Sequence, residues 1–398
     1  MSSSPAAYGL EYQARCVAPF YQATPVAGVH RFLVGTAHAG GGNKIYLMDF
    51  HEQQRVADCT AVWSHHEEIW GMSVSPGTSG AGCLFATFSP ASGCRIHRVQ
   101  GDHDVMGELE RLGSIPGEER QVLWDGEGLQ GEFRSLSATG ISVWKTDGFL
   151  SAGGSSSAPP AQRVAFQTPL SSNSGGQQAR AANDPHHTSI VAVGAAEGIF
   201  VADMREKKVV ASAASQPHAP RGQRWIEFSP STANRLLTTG TDGTIQIWDL
   251  RMIAKPSSKP NSKAADESLG PITTLRGHQH YCLGASFHPF HDRLVLSWSS
   301  DHTTKLWDLE RDAQAGQTHQ QHHHNVSDAD GINRRIVTSA EKTISEFGES
   351  VHSAAWSASG SWTYAAVAFH GKVLVDTVPN DTKMRVLMAS QSQPSEDF

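Results

Sequence analysis

The sequence predicts an all-β protein, a seven-bladed β-propeller with disordered loop insertions, and three observations carry that prediction. Two stretches, Thr239 to Leu250 and Ser299 to Leu309, each read as a strand, a tight turn around an aspartate, and a strand ending in Trp-Asp. A histidine precedes each tryptophan at nearly the same distance: His278 lies 29 residues before Trp307, and His218 lies 30 before Trp248. The length of 398 residues accommodates seven units of roughly 40–45 residues plus insertions. Together these are the marks of a WD40 repeat, whose ring of blades is commonly a rigid platform for partners.

The two clear copies share a finer register. Ser297 stands four residues before Asp301, and Asp301 six before Trp307; Thr238, Asp242 and Trp248 repeat that spacing. In such a blade the aspartate accepts from the histidine, and the chain continues through the hydroxyl to the indole nitrogen. A buried network of this kind stabilises only when every member is satisfied. His218, Thr238, Asp242, Trp248, His278, Ser297, Asp301 and Trp307 therefore read as structural residues, not catalytic ones.

Weaker units follow in chain order. The first runs from Phe32–Thr36 to Lys44–Asp49, and the second from Ile69–Pro76 through Leu84 to Val99. The third, around 120–146, is divergent and includes Leu136 to Trp144; its completeness is not legible. The fourth spans Ile190 to Asp203, with Ala-Asp replacing Trp-Asp. The two Trp-Asp units are the fifth and sixth. The seventh runs from Val351–Trp356 to Gly371–Val375, with His370 where the turn aspartate would stand. Three units open with an apolar strand closed by proline at Pro76, Pro230 and Pro289, a residue that cannot donate to a ladder. A leftover strand at residues 8–16 is expected to pair with the last blade and so remove the ring's open edge. The prediction is one domain over residues 8–380. Low-complexity insertions are expected at 151–187, 255–270 and 312–346, with a disordered tail at 388–398.

Composition narrows the function classes. Net charge is −7, and no basic face is evident of the kind that phosphate-backbone binding requires. No apolar run approaches the ~18 residues of a membrane span. The N-terminus lacks the positive and apolar regions of a signal peptide. The five cysteines, at 16, 59, 83, 94 and 282, show no redox or zinc spacing, which suits free thiols in a reducing cytosol.

The ends of the chain are more specific than the Trp-Asp motifs. The strand Tyr8 to Arg15, the segment Arg31–Thr36 followed by Asp49-Phe50, Glu68-Ile-Trp70 with Ser73, Ser75 and Pro76, and the closing Ser350-Val351, Ala355–Ser357, Gly371-Lys372 and Val378-Pro379 resemble the family of EARP- and GARP-interacting proteins. The resemblance covers roughly residues 30–100 and 218–380 plus the first strand. It implies a non-enzymatic scaffold that binds subunits of the EARP and GARP tethering complexes. It further implies support for their recruitment to endosomal and trans-Golgi membranes in endocytic recycling and retrograde transport. The implied protein is cytoplasmic, monomeric by itself, without cofactor, and reaches membranes only through partners.

Other chemistry finds little footing in these residues. The tract His319–His324 contains imidazoles that suit zinc or nickel, but structural zinc wants four fixed ligands at close spacing, so low complexity is the simpler reading. His65-His-Glu-Glu68 reads as a solvent-exposed loop where a blade begins. Gly40–Gly42 and Gly153-Gly154 lack the lysine and helix of a phosphate loop, and no nucleophile elbow or His-Glu-x-x-His occurs. Trp70 and Trp225, in strands near blade openings, read as packing residues, and Arg221 and Arg224 fall near the top mouth without an assigned role. Trp248-Asp-Leu-Arg251 matches the Trp-Asp-x-Arg pattern of propellers that dock on a cullin-RING ligase adaptor, making Arg251 a possible contact and a substrate receptor the alternative function.

Overall fold

The middle strands of the sheets are buried on both faces, so each sheet must be covered on both sides. Leu294–Ser299 and Thr363–Ala368 are buried at every position. Because successive side chains point to opposite faces, Leu236 packs into one layer and Leu237 into the next. A ring of sheets satisfies this demand without leaving an exposed face.

The structure, a computed structural model, describes residues 4–22, 25–76, 82–102, 105–115, 119–124, 132–137, 140–145, 163–167, 179–195, 198–213, 218, 222–253, 270–310, 326–327, 333–360 and 362–391. Seven sheets form seven blades, each built on a four-stranded antiparallel meander, and the fifth sheet carries two further strands. Their innermost strands are, in order, Ala14–Pro19, Gly71–Val74, Gln121–Trp124, Arg180–Asn183, Gln223–Phe228, Cys282–Phe287 and Val351–Trp356. Each touches the next, and the seventh returns to the first. Seven apolar clusters fill the seven gaps. One example joins Cys94 and Ile115 of blade 2 to Phe133 and Trp144 of blade 3; another joins Trp298 of blade 6 to Trp356 and Tyr364 of blade 7.

Ring closure differs in detail from the expectation. Residues 8–16 are not one strand. Ala6–Gly9 pairs antiparallel with the strand Lys372–Thr377, Ala6 opposite Val375 and Gly9 opposite Lys372. The chain then turns, and Ala14–Pro19 becomes the inner strand of blade 1. Gly371 has φ +93°, and an added Cβ there would stand 2.4 Å from the Tyr12 carbonyl oxygen, so this corner requires glycine.

The insertion boundaries also need correction. Blade 3 is complete: its fourth strand, Arg163–Gln167, lies inside the segment 151–187, and Arg180–Asn183 of blade 4 lies there too. The segment 312–346 contains Asn333–Val337, which extends blade 5 by pairing in parallel with Thr273–Arg276, and Lys342–Ile344, the outer strand of blade 6. Backbone hydrogen bonding recruits these polar stretches although their composition reads as loop. Of the expected tail, 388–391 completes the helix Asn380–Gln391. Arg385 fastens that helix to blade 6 through Asp308 at 3.0 Å and Glu341 at 2.8 Å. Residues 254–269, the His319–His324 tract and 392–398 lie outside the described residues.

Candidate functional site

The expected blade sets occur in blades 5 and 6. In blade 6 the His278 Nδ1–H faces Asp301 at 2.9 Å, its Nε2 meets Ser297 Oγ at 2.8 Å, and Trp307 Nε1 donates to that hydroxyl at 2.9 Å. Blade 5 repeats it: His218 to Asp242 at 2.9 Å, His218 to Thr238 at 3.0 Å, Trp248 to Thr238 at 2.9 Å. Burial opposes ionisation of Asp242, yet hydrogen bonds from His218 and Thr244 hold its pKa down to about 2. Burial likewise opposes Asp301, and His278, Thr303 and the Gln279 N–H hold it well below the usual carboxylate range. An ionised aspartate places the histidine proton on Nδ1. Nε2 then accepts from the hydroxyl, and the hydroxyl accepts from the indole.

The other blades depart in instructive ways. Blade 2 replaces the indole with an imidazole: Thr87 Oγ1 meets His65 Nε2 at 3.3 Å and His97 Nε2 at 3.0 Å. Burial pushes the His97 pKa down to about 3. His65 is therefore a buried blade residue, its Nδ1 against the Glu67 carbonyl at 2.8 Å, and not part of an exposed loop. Blade 3 keeps half the set, Trp144 Nε1 donating to Ser135 at 2.7 Å. Blade 4 has buried Ala192 and Ala202 in place of hydroxyl and indole; removing both partners of a buried hydrogen bond is nearly neutral where removing one is costly.

A second feature was not legible in the sequence. Every inner strand enters the ring from the same face, because each blade is a meander whose outer strand leads to the next inner one. In four blades the inner strand carries a register shift directly after its first residue, and the extra residues are Arg15, Arg224, Leu283 and His352. A bulge of this type re-aims a side chain. In blades 2 and 3 the matching residues are Trp70 and Arg120, whose N–H groups donate to Phe88 O at 2.8 Å and Leu136 O at 2.7 Å just before the strand begins. Blade 4 opens with Arg180. The channel mouth is thus ringed by one residue per blade: Arg, Trp, Arg, Arg, Arg, Leu and His.

Arg15, Trp70, Arg120, Arg180 and His352 line a cavity of about 520 Å³, with Trp225 and Glu227 on its wall. The Arg15 guanidinium lies 4.1 Å from the Trp70 ring centroid and 5.1 Å from that of Phe369, and its buried Nε has no hydrogen-bond partner. Arg180 lies 5.6 Å from the Trp225 ring, its pKa lowered by burial and by Arg224. Burial and the charge of Arg15 push His352 down to about 4. Burial pushes Glu227 up to about 7, against hydrogen bonds from Ser286 at 2.9 Å, Trp225 at 3.3 Å and the Phe287 N–H at 3.0 Å. Among the described residues no carboxylate pairs with Arg15, Arg120, Arg180 or Arg224; Glu68, the acid nearest Arg15, receives Trp70 Nε1 at 2.6 Å. Trp225 also packs edge-on against Trp298 at 5.3 Å, so it serves both the core and the channel wall. Trp70 lines the channel as well and is more than a packing residue.

Arg251 does not line this cavity; it lies in the short 3-10 turn Leu250–Met252 after blade 5's third strand. Its exposed side chain folds back onto Asp249, with Nη2 2.5 Å and Nε 2.9 Å from the carboxylate oxygens. Cys16, Cys83, Cys94 and Cys282 are buried free thiols, and burial pushes the first three up to about 12.

Residues 1–307 match the family model described as the EIPR1 beta-propeller. The chain belongs to that family. It is similar to the EARP-interacting protein homolog of Gekko japonicus, 24% identical with 97% of this chain and 99% of the relative covered. It is equally similar to the EARP and GARP complex-interacting protein 1 of Homo sapiens, 24% identical over the same shares. The WD repeat-containing protein DWA2 of Arabidopsis thaliana is 23% identical over 94% of this chain and 97% of its own. The chain is a propeller interaction protein, and the relatives' names do not favour the ligase-receptor alternative. Among the described residues no helix is long and apolar enough to cross a membrane.

Proposed function

We propose that this protein is a non-enzymatic propeller adaptor of the EARP and GARP tethering complexes, supporting their recruitment to endosomal and trans-Golgi membranes in endocytic recycling and retrograde transport. The observation that carries the reading is end-to-end similarity: relatives named for binding these complexes align with 97% of the chain. A ring buttressed by seven apolar layers suits the role, since it presents its loops on a platform that pays little ordering cost on binding. On this reading the protein is a cytoplasmic monomer, binds no nucleic acid, and meets membranes through its partners.

The test is affinity purification of the tagged full chain from its own cells, with mass spectrometry of what is retained. Recovery of the shared EARP and GARP subunits is expected. A folded preparation that retains a cullin adaptor and no tether subunit, or neither, would overturn the proposal.

A further inference from the structure

We infer that the mouth of the central channel is a binding site for a compact polyphosphorylated ligand, held by Arg15, Arg120 and Arg180 with Arg224 beside them. Three facts converge. The ring of mouth positions is basic in four of seven blades although the whole chain carries net charge −7. Those guanidiniums have no carboxylate partner among the described residues, and the wall's own acid, Glu227, is held by Ser286, Trp225 and the Phe287 N–H instead. The cavity they line, about 520 Å³, is the size of a small-molecule site.

Grouping permanently charged side chains in a half-enclosed space raises the energy of the empty site, because like charges repel more strongly away from water. An anion relieves that cost. A phosphate group carries close to two charges and three acceptor oxygens, and the planar guanidinium fork matches it bidentately. Two or three phosphates on a small scaffold would neutralise the mouth within this volume, whereas an acidic peptide brings one charge per residue and fills the cavity sooner. The Arg15 guanidinium is held over the Trp70 and Phe369 rings, and its buried Nε has no hydrogen-bond partner. The same chemistry could arrive as a free metabolite or as a lipid headgroup.

Isothermal titration of the full chain with inositol trisphosphate tests the site directly, and co-sedimentation with phosphatidylcholine vesicles with or without phosphatidylinositol bisphosphate separates the two sources. Saturable one-to-one binding that weakens with salt is expected. Arg15→Gln, Arg120→Gln and Arg180→Gln should each weaken it about tenfold or more, the loss of a charge-assisted contact. Arg205→Gln, whose partner is Asp203 outside the channel, should bind as the parent does. Arg120→Gln carries the test if another variant misfolds, because the Arg120 side chain has no partner among the described residues to lose. Soluble binding alone assigns a free ligand; vesicle association that requires the phosphoinositide and these arginines assigns a headgroup. Absence of binding to both probes, binding unchanged in all three variants, or stronger binding of a polyglutamate peptide than of the inositol phosphate would overturn the inference.

Discussion

Replacing Thr238 with valine isolates what the blade network contributes. The side chain is fully buried, and valine keeps its shape while deleting the hydroxyl that joins His218 Nε2 at 3.0 Å to Trp248 Nε1 at 2.9 Å. No cavity forms, so the cost is that of two orphaned polar atoms. Each costs about 1–3 kcal/mol when left unpaired in the interior, which gives about 2–6 kcal/mol for Thr238→Val. Urea unfolding followed by circular dichroism reads this as a shift in midpoint at unchanged slope. Thr343→Val, on the exposed outer strand of blade 6, is the control and should stay within about 0.5 kcal/mol. In a Trp248→Phe background one of the two orphans is already gone, so Thr238→Val should cost at least about 1 kcal/mol less there, a coupling expected of residues in one network. A Thr238→Val cost below about 0.5 kcal/mol, or the same cost in both backgrounds, would refute the account of these residues as one hydrogen-bonded unit.

Gly240→Ala should also destabilise, by about 1–3 kcal/mol for a strained insertion: its Cβ would stand 2.2 Å from the His218 ring carbon and displace that ring from Asp242, as thermal unfolding would show. Glu227 has a folded pKa of about 7 against an ordinary 4.5, so the stability it favours is full below pH 4.5 and lost as pH rises through 7. Glu227→Gln should therefore flatten the fall in melting temperature between pH 5 and 8; an unchanged profile refutes the assignment. His97 works in the opposite direction: with a folded pKa of about 3 against 6.5, it costs stability as pH falls from 6.5 toward 3. His97→Leu should make the acid limb of the stability curve shallower.

How much of this was readable in advance follows from what each signal depends on. Blades 5 and 6 were legible because His278, Ser297, Asp301 and Trp307 must keep a spacing set by strand length and turn geometry, and so must their counterparts. Blade 2 hid its set because His97 fills the indole's place, which no Trp-Asp pattern finds. The strand Arg163–Gln167 was hidden because its neighbours are Ser- and Gly-rich and its pairing is supplied by the sheet, not by composition. The channel mouth was hidden for a different reason. A one-residue bulge breaks the alternation by which a strand's faces are assigned, so Arg15, Arg224 and His352 fall out of phase with the strands that carry them. Trp225, directly after such a bulge, looked like core and is also channel wall.

The pairing of Ala6–Gly9 with Lys372–Thr377 also sets a timetable for synthesis. The partners of that ladder are separated by more than 360 residues. At roughly 5–20 residues per second, the first strand waits about 20–70 s for the strand it will join. During that interval blade 1 has a neighbour on one side alone, and the apolar layer formed by Phe32, Val34 and Met48 has no blade 7 to meet. The nascent chain thus emerges as an open arc with one uncovered apolar edge, and blade 7 with its strand Lys372–Thr377 seals it.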